Sequence, residues 1–392
     1  MATYPVKYLH SGMRGAPVLT GQAGTLVALL HAALVTGFGM VTALSASVAA
    51  GTATVQFNAG QSFDVGDIVV VAGATPDGLN GEARVLTASS THITFATTAP
   101  DGAASGTITV KAAPAGWNRP YSGTNKAVFR SADPAANGHY LRVLDTSAQF
   151  ARVTGYTAMT TVDAGTGPFP TAAQFSGGGY WHKSIQADGT PVTWKLFGDT
   201  RFFFLSIAYA SPYGPEYRAA AALCFGDPIA LQIGGDPWST ALTCSGSSYS
   251  YHRGIEDAGT SSSPGAVATC MARASGGAGS GVLVDARTYS IGALSGADTS
   301  LGQYPSSVDG RLRLTPVFWR EQGGSYPPPR AVAPGFLYVP QYGASAAFAD
   351  GSSITGTGDL AGRRLVAVWA ASSVSATNPE GVYFIDATGP WR

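Results

Sequence analysis

The stretch Asp64–Val85, DVGDIVVVAGATPDGLNGEARV, places a run of valines directly before a cluster of glycines. A strand followed by a glycine-rich loop is also how many phosphate-binding sites begin. A dinucleotide site further requires G-x-G-x-x-G at the start of a helix, with an acidic residue about 20 positions later, and a P-loop requires a lysine. After IVVVAG this chain continues as ATPDGLNG, which contains two turn signals and no helix-forming run. The stretch therefore predicts a β-hairpin and not a nucleotide site.

The glycines of this hairpin are expected at backbone positions with positive φ, which Gly73, Gly78 and Gly81 would adopt at little steric cost. Outward from the hairpin, residues 41–112 alternate apolar and small polar residues and carry turn signals at short intervals. This pattern predicts a small β domain, either a barrel or a sandwich. Its expected strands are TATVQF, DIVVVAG, EARVLTA, HITFAT and GTITVKA.

The composition also favours β structure. Charged residues make up only 12% of the 392 residues, against about 25% in a typical soluble domain. Positive and negative residues number 23 each, so the chain has no net field to attract nucleic acid or an anionic membrane. The 51 glycines and 24 prolines favour turns and extended backbone. We therefore expect a mainly β fold, part of whose charge-poor surface is covered by partner proteins.

Residues 1–40 are predicted to form an extended N-terminal docking arm that ends in one helix. The apolar segment AGTLVALLHAALVTGFG, at Ala23–Gly39, is shorter than the about 20 residues of a membrane span, and it contains His31. It also lacks the basic region and cleavage site of a signal peptide. An apolar stripe at helical spacing is formed by Leu26, Leu29, Leu30 and Leu34.

This stripe is expected to dock on the chain's own subunit or on a neighbouring one, and its four leucines are the predicted assembly anchor. Under this hypothesis a fragment of residues 41–392 folds but no longer assembles.

Two further regions follow the small β domain. Residues 113–125, APAGWNRPYSGTN, are rich in proline and glycine and are predicted to be a linker. Residues 126–392 are predicted to form a larger β-rich C-terminal domain, in which EYRAAAALCFGD fits either a helical turn or a strand. The expected strands there are KAVFRS, HYLRVLD, ARVTGY, PVTWKLFG, RFFFLSIAY, GVLVDAR, RLRLTPVFW, GFLYVPQ, RRLVAVWA and GVYFIDA.

The residues that could carry chemistry form no recognised catalytic or metal-binding motif. Cys224, Cys244 and Cys270 are too widely spaced for a zinc clip and odd in number, so we expect free, buried thiols in a reducing cytoplasm. The six histidines never pair at i, i+2 or i, i+4. His182 follows two aromatic residues and is expected to pack or to make an interface hydrogen bond. We expect no cofactor, no metal and no catalytic residue.

A glycosidase needs two carboxyl groups about 5–10 Å apart, and two pairs of acidic residues are the candidates for such a site. Asp188 and Asp199 lie near tryptophans but in ordinary turn sequences, where aspartate caps its own backbone. Glu256 and Asp257 lie beside His252 in a loop rich in serine and glycine, where a solvated role is expected.

Aromatic residues are the other candidate for function, since both sugars and proteins are bound by exposed tyrosine and tryptophan. They cluster in residues 180–251, and several fall among proline, glycine and serine. The candidate receptor or interface contacts are Tyr213, Tyr217, Trp238, Tyr249 and Tyr251.

Seven phrases run in one order along the chain: KYLHSGMRGAPVLTGQAGTL, FDVGDIVVVAGATPDGLNGEARV, APAGWNRPYSGTNKAVFRS, VDAGTGPFPT, LFGDTRFFFLSIAY, LTPVFWR and DATGPWR. Together they resemble a family of tailed-bacteriophage structural proteins from tail and baseplate gene clusters. The resemblance covers essentially the whole chain, but its phrases are turn and packing motifs rather than catalytic ones.

The resemblance implies a virion protein that is made in the host bacterial cytoplasm and placed in the phage tail. Its expected role is a structural part of the tail tip or baseplate that acts by assembly with other tail proteins, as a homotrimer by family analogy. The alternative is a tail-fibre-type adhesin that touches a host-surface glycan or protein through loops in residues 205–280. A glycan-degrading tail enzyme is the third possibility.

Overall fold

The computed structural model describes residues 4–58, 60–214, 221–248, 254–255, 267–288, 301–322, 327–370 and 381–392. The fold is mainly β, as the composition predicts, with antiparallel pairing throughout the described strands.

The N-terminal segment is built into this fold rather than extending from it. Strand β1 (Lys7–His10) pairs antiparallel with Thr193–Gly198 of the large sheet. Helix α1 (Thr25–His31) continues as a π-helical turn, Ala32–Thr36, which ends at Gly37 with φ 71°. The helix predicted from the leucine spacing is therefore present.

The small β domain contains nine strands: β2 (Phe38–Thr42), β3 (Ser45–Ala49), β4 (Thr52–Gln56), β5 (Ile68–Ala72), β6 (Gly81–Arg84), β7 (Thr87–Ala88), β8 (His92–Ala96), β9 (Gly102–Ala103) and β10 (Thr109–Ala112). They form one sheet in the order β2-β10-β5-β6 and a second in the order β7-β8-β4-β3-β9. Val55 and Phe95 of one sheet and Val69 and Val110 of the other belong to one buried cluster. Four of the five expected strands are found as single strands, whereas EARVLTA is divided between β6 and β7, which belong to different sheets.

Within the stretch Asp64–Val85, strands β5 and β6 form a hairpin. The two strands are joined through a short 3-10 turn, Asp77–Leu79. Gly73 and Gly81 have positive φ, 80° and 116°, and a Cβ at Gly73 would lie 2.2 Å from the carbonyl oxygen of Thr107. The expectation for Gly78 was wrong, because its φ is not positive and its constraint is a tight contact with Ala99.

The first part of the large sheet contains nine strands: β11 (Trp117–Gly123), β12 (Lys126–Ser131), β13 (Tyr140–Leu144), β14 (Phe150–Met159), β15 (Gly165–Phe169), β16 (Gly179–His182), β17 (Thr193–Gly198), β18 (Phe202–Ala208) and β19 (Ala221–Gly226). Within EYRAAAALCFGD, which fits either a helical turn or a strand, Ala221–Gly226 form strand β19, and residues 216–220 lie outside the described residues. A 3-10 turn, Ser211–Tyr213, follows β18.

The second part continues with β20 (Ile229–Ala230), β21 (Ala241–Ser245), β22 (Val267–Met271), β23 (Val282–Arg287), β24 (Thr315–Glu321), β25 (Pro329–Tyr338), β26 (Ser353–Thr355), β27 (Arg364–Ala370) and β28 (Gly381–Asp386). Helix α2 (Ala344–Ala347) and a 3-10 turn, Gly358–Leu360, lie between β25 and β27.

The pairings of the large sheet form two rows. One row runs β1-β17-β18-β19-β21-β22-β23-β24-β25-β28-β27-β26, and the other runs β11-β12-β13-β14-β16. The rows meet where Tyr180 of β16 pairs with Ser245 of β21.

The structure corrects the predicted linker. Most of residues 113–125 form strand β11, which pairs with β12 and so belongs to the large sheet. Ahead of it, the backbone amides of Ala115 and Gly116 donate to the carbonyl oxygens of Ala33 and Leu34 in the N-terminal helix. This segment is held on both sides and is not a free joint between domains.

The structure also corrects the predicted assembly anchor. Leu26, Leu29, Leu30 and Leu34 are completely buried and belong to a core cluster of this same chain. That cluster also contains Val69 of the small domain. Side chains enclosed in this way cannot contact another protein, so of the two alternatives the stripe docks on its own subunit.

A buried ion pair fixes the start of helix α1. Oδ2 of Asp145 accepts hydrogen bonds from the backbone amides of Leu26, at 2.8 Å, and Val27, at 3.3 Å. Its Oδ1 pairs with Nζ of Lys183, and neither side chain of the pair is exposed. Burial raises the pKa of Asp145 and lowers the pKa of Lys183, and their mutual contact opposes both shifts.

Removal of residues 1–40 is therefore expected to abolish the cooperative unfolding of the remaining chain, because it opens the core and removes the strand that pairs with β17.

The single change Leu30→Ala should lower the free energy of unfolding by about 2–5 kcal/mol. Val18→Ala, at a side chain that is 61% exposed, is the control and should stay within about 0.5 kcal/mol of the parent protein. Urea unfolding measures all three, and a cooperatively folded 41–392 fragment of unchanged stability would contradict the expectation.

A second buried carboxylate lies where the small domain meets the large sheet. Asp67, just before β5, is 3% exposed, and its Oδ2 accepts a hydrogen bond from the amide of Asp64. Its Oδ1 lies 3.9 Å from the Arg364 guanidinium of β27. Burial raises the pKa of Asp67 to about 6, against smaller lowering effects from the Asp64 amide and Arg364.

Because the pKa of Asp67 is higher in the folded than in the unfolded chain, the folded state holds the extra proton between these two values. Stability from this group should therefore fall as pH rises from about 4 to about 6, by about 3 kcal/mol in total. Asp67→Asn should remove this fall, and the exposed control Asp101→Asn should keep it. Urea unfolding across this pH range tests the prediction, which fails if the Asp67→Asn profile parallels that of the parent protein.

Candidate functional site

The most exposed apolar side chain in the described part of the chain lies on a loop between β20 and β21. Ile233 is 100% exposed and Leu231 is 42% exposed. Gly234 and Gly235 have φ of 86° and 91°, and a Cβ at either position would meet no atom within 4 Å. The amide of Gly235 donates to the carbonyl oxygen of Gln232 at 3.0 Å, which closes the turn. We call residues 231–235 the Ile233 loop.

The base of the Ile233 loop is rigidly held. Arg330 of β25 donates from Nε and from one terminal nitrogen to Oδ2 of Asp236, at 3.0 and 2.7 Å. Its other terminal nitrogen lies 3.0 Å from Oε1 of Glu321, and the Arg330 and Asp236 side chains are only 2% and 3% exposed. Oδ1 of Asp236 accepts the amide of Trp238 at 3.0 Å. An exposed apolar tip therefore stands on a buried, charge-assisted base.

Trp238, one of the aromatic residues predicted to make contacts, forms the flank of this base. Its ring lies parallel to His139, with centroids 6.0 Å apart and an interplanar angle of 17°. The Arg273 guanidinium lies 4.2 Å from the ring centroid. The ring is half-buried and already in contact with both groups, so Trp238 supports the loop and is not an open platform for a sugar.

His139 belongs to a hydrogen-bonded group beneath Trp238. Its Nδ1 lies 2.8 Å from Oγ1 of Thr240, which in turn donates to Oδ1 of Asp227 at 2.5 Å. Nδ2 of Asn137 donates to the same Thr240 oxygen at 3.2 Å.

The order of these groups differs from that of a catalytic triad. The Thr240 hydroxyl lies between the Asp227 carboxylate and the His139 imidazole. It donates its hydrogen bond to Asp227, so the imidazole does not act as a base on this hydroxyl. Thr240 is 1% exposed and beyond the reach of a substrate. Burial, with smaller contributions from Arg273 and Arg130, lowers the pKa of His139 to about 4. The imidazole is therefore neutral at physiological pH, and the group serves as a scaffold.

The other predicted contact residues fall outside the part of the chain that the structure describes, apart from the backbone of Tyr213. The backbone of Tyr213 ends a 3-10 turn. The side chain of Tyr213 and the whole of Tyr217, Tyr249 and Tyr251 lie outside the described residues, as do His252, Glu256 and Asp257.

The remaining candidate carboxylates cap turns, as expected. Oδ1 of Asp188 accepts the amide of Thr190 at 2.9 Å. Oδ1 of Asp199 accepts the amides of Arg201 and Phe202 at 2.8 and 2.7 Å, and its Oδ2 lies 3.2 Å from Arg392.

His182 and the three cysteines are packed. His182 is 8% exposed, and its Nε2 lies 3.3 Å from the carbonyl oxygen of Ser247. Cys224, Cys244 and Cys270 are buried thiols that form no disulfide bond with one another. In the ranges that the structure describes, no group of three or more histidine, cysteine, aspartate or glutamate residues is placed to hold a metal ion. The described helices include none long and apolar enough to cross a membrane.

A comparison with models of known protein families finds no match to this chain, and a comparison with curated proteins finds none either.

The Ile233 loop is not predicted from the sequence because its sequence pattern is only weakly distinctive. The sequence LQIGGDPW combines two large aliphatic residues with a glycine-rich turn, and only the position of an apolar residue inside the turn marks it as exposed. The arginine that holds the base lies far along the chain, so local spacing does not reveal it.

The lowered pKa of His139 predicts acid lability. Because the unfolded chain takes up a proton near pH 6.5 and the folded chain only near pH 4, stability from this group should be lost as pH falls between these values, by about 3 kcal/mol. His139→Gln keeps a donor for Thr240 and should remove the loss. Urea unfolding of both proteins, with the imidazole resonances followed by NMR, tests this, and an imidazole that titrates near pH 6.5 would contradict it.

Proposed function

We propose that the chain is a structural component of a tailed-bacteriophage virion, in the tail tip or baseplate, and that it acts by assembly with itself and other tail proteins. The observation that carries the proposal is the fully exposed Ile233 on a buried ionic base. The ordered phrases that resemble tail-cluster proteins and the charge-poor composition support it.

An exposed isoleucine contributes binding free energy when a partner buries it. Burial of this side chain against a partner is worth about 1.5–3 kcal/mol. A loop whose base is already fixed loses less conformational entropy on binding than a free loop, so more of this gain appears as affinity. Leu231 lies at the start of the same loop and widens the apolar contact. A few such residues commonly dominate the energy of an interface.

The proposed assembly is a homotrimer, by analogy with tail proteins. A host-surface adhesin is the second candidate, since the Ile233 loop falls within residues 205–280, where receptor contacts are expected.

Ile233→Asp is expected to weaken assembly because it places a charge in the contact. Its matched control is Val308→Asp, at a side chain that is 92% exposed on a different loop. Light scattering after size exclusion should show the trimer for the parent protein and the control, and a smaller species for Ile233→Asp. Thermal unfolding should be unchanged in both variants, since neither side chain is buried.

A monomeric parent protein, or an Ile233→Asp protein that remains a trimer, would contradict this interface. The place of the protein in the virion has its own test, antibody labelling of intact particles against residues 126–392. Label at the tail tip is expected, and label on the head would contradict the tail proposal.

A further inference from the structure

The row of strands β12, β13, β14 and β16 buries one face in the core and carries a ladder of arginine and tyrosine on the other. The inward side chains include Phe129, Leu141, Val153 and Trp181, all completely buried. Because side chains alternate along a strand, their neighbours point to the opposite face. The ladder on the opposite face consists of Arg130, Tyr140, Arg142, Arg152, Tyr156 and Tyr180, of which Tyr156 is buried in a small cluster with Val128 and Met159.

The strand register places these side chains in three arginine–tyrosine pairs. Arg130 lies directly opposite Tyr140, and Arg152 lies opposite Tyr180. Their guanidinium carbons lie 5.0 and 3.9 Å from the tyrosine ring centroids. The third pair, Arg142 over Tyr156, has a distance of 5.1 Å.

The three arginines are spaced along a diagonal of the sheet. Arg142 is two residues from Tyr140, the partner of Arg130, and it lies opposite Thr154, which is two residues from Arg152. Such diagonal neighbours are about 7–8 Å apart. The guanidinium groups therefore form a row across three strands.

No carboxylate in the described part of the chain forms an ion pair with any of these three arginines. Arg130 and Arg152 donate only to backbone carbonyl oxygens, those of Gly138 and of residues 176–178. Nε of Arg142 is buried without a hydrogen-bond partner. Lys126, at the edge of this face, is by contrast paired with Asp163.

Most other arginines of the described chain differ in this respect, although Arg84 and Arg273 likewise stack on a ring with no carboxylate partner among the described residues. Carboxylates lie within 4.0 Å of the arginines at 201, 287, 311, 313, 320, 330, 363, 364 and 392. In a protein of zero net charge, the ladder is thus a local row of uncompensated positive charge.

The chemistry of the ladder selects among anionic partners. A guanidinium that stacks on a ring can still donate from its edges to a carboxylate. Because Nε of Arg130 and both Nε and one terminal nitrogen of Arg152 already donate to backbone carbonyl oxygens, a carboxylate would meet the remaining terminal N–H groups. The tyrosine faces are already covered by guanidinium groups, so the stacking platforms that single-stranded nucleic acid requires are absent from this ladder. A polymer with one carboxylate per sugar can meet several arginines at once.

We propose that the arginine–tyrosine ladder binds an acidic polysaccharide through its uronate carboxylates. The positive row is complementary to such a chain, and the rings of Tyr140 and Tyr180 stack on two of its arginines. This binding goes beyond the assembly role proposed above and does not depend on it.

The test measures binding of polygalacturonate by calorimetry at low salt, with neutral dextran of similar length as the reference polymer. The parent protein should bind polygalacturonate and not dextran. The double variant Arg130→Gln, Arg142→Gln should bind about tenfold more weakly. It should also show a smaller dependence on salt, since fewer cations take part. The exchange of both residues for lysine should retain part of the binding.

The control is Arg311→Gln, at a side chain that is 79% exposed elsewhere on the protein, which should bind like the parent. Thermal unfolding and light scattering should show that the double variant keeps its stability and its oligomeric state, so a failure of the ladder is separable from a failure of the assembly proposal. The proposal is overturned if the parent protein does not bind polygalacturonate or if the double variant binds it equally well. Tighter binding of oligo-dT or polyaspartate than of polygalacturonate would overturn it in favour of nucleic acid or an acidic protein.

Discussion

The buried contact between Asp145 and Lys183 holds together parts of the chain that are far apart in sequence. The carboxylate receives the first amides of helix α1, and the ammonium group satisfies its second oxygen. An unpaired charge at this depth would be strongly destabilising, so each partner requires the other. The helix in turn fills the core with four leucines that the small domain and the large sheet share.

This arrangement changes how the chain divides into domains. The small domain keeps its own two sheets, yet Val69 and Val110 lie in the same buried cluster as Leu26 of the helix and Phe129 of the large sheet. Asp67 and Arg364 add a polar contact between the small domain and the large sheet. Helix α1 packs in a core that both regions share, and strand β1 pairs with the large sheet. The chain is therefore not an arm followed by two independent modules.

Alternating apolar residues were enough to predict most strands. KAVFRS matches β12 and GVYFIDA contains β28 because both have a buried apolar pattern and turn residues at their ends. Strand β1 could not be predicted in this way, since its four residues become a strand only by pairing with Thr193–Gly198. Likewise, helical spacing revealed the leucine stripe but not which surface covers it. Of the site, Trp238 was found by its residue type, whereas the Ile233 loop and the ladder depend on contacts and register between distant residues.

The pairing of β1 with β17 also sets the order in which the chain can complete its fold during synthesis. The ribosome makes the segment Lys7–His10 before its partner strand, which ends only at Gly198. At about 5–20 residues per second, the two are separated by roughly 10–40 s of translation. For most of that interval Asp145 and Lys183 have not been made, so the carboxylate that receives the first amides of α1 is missing. Strand β1 and helix α1 are thus made long before the parts of the large sheet that enclose them.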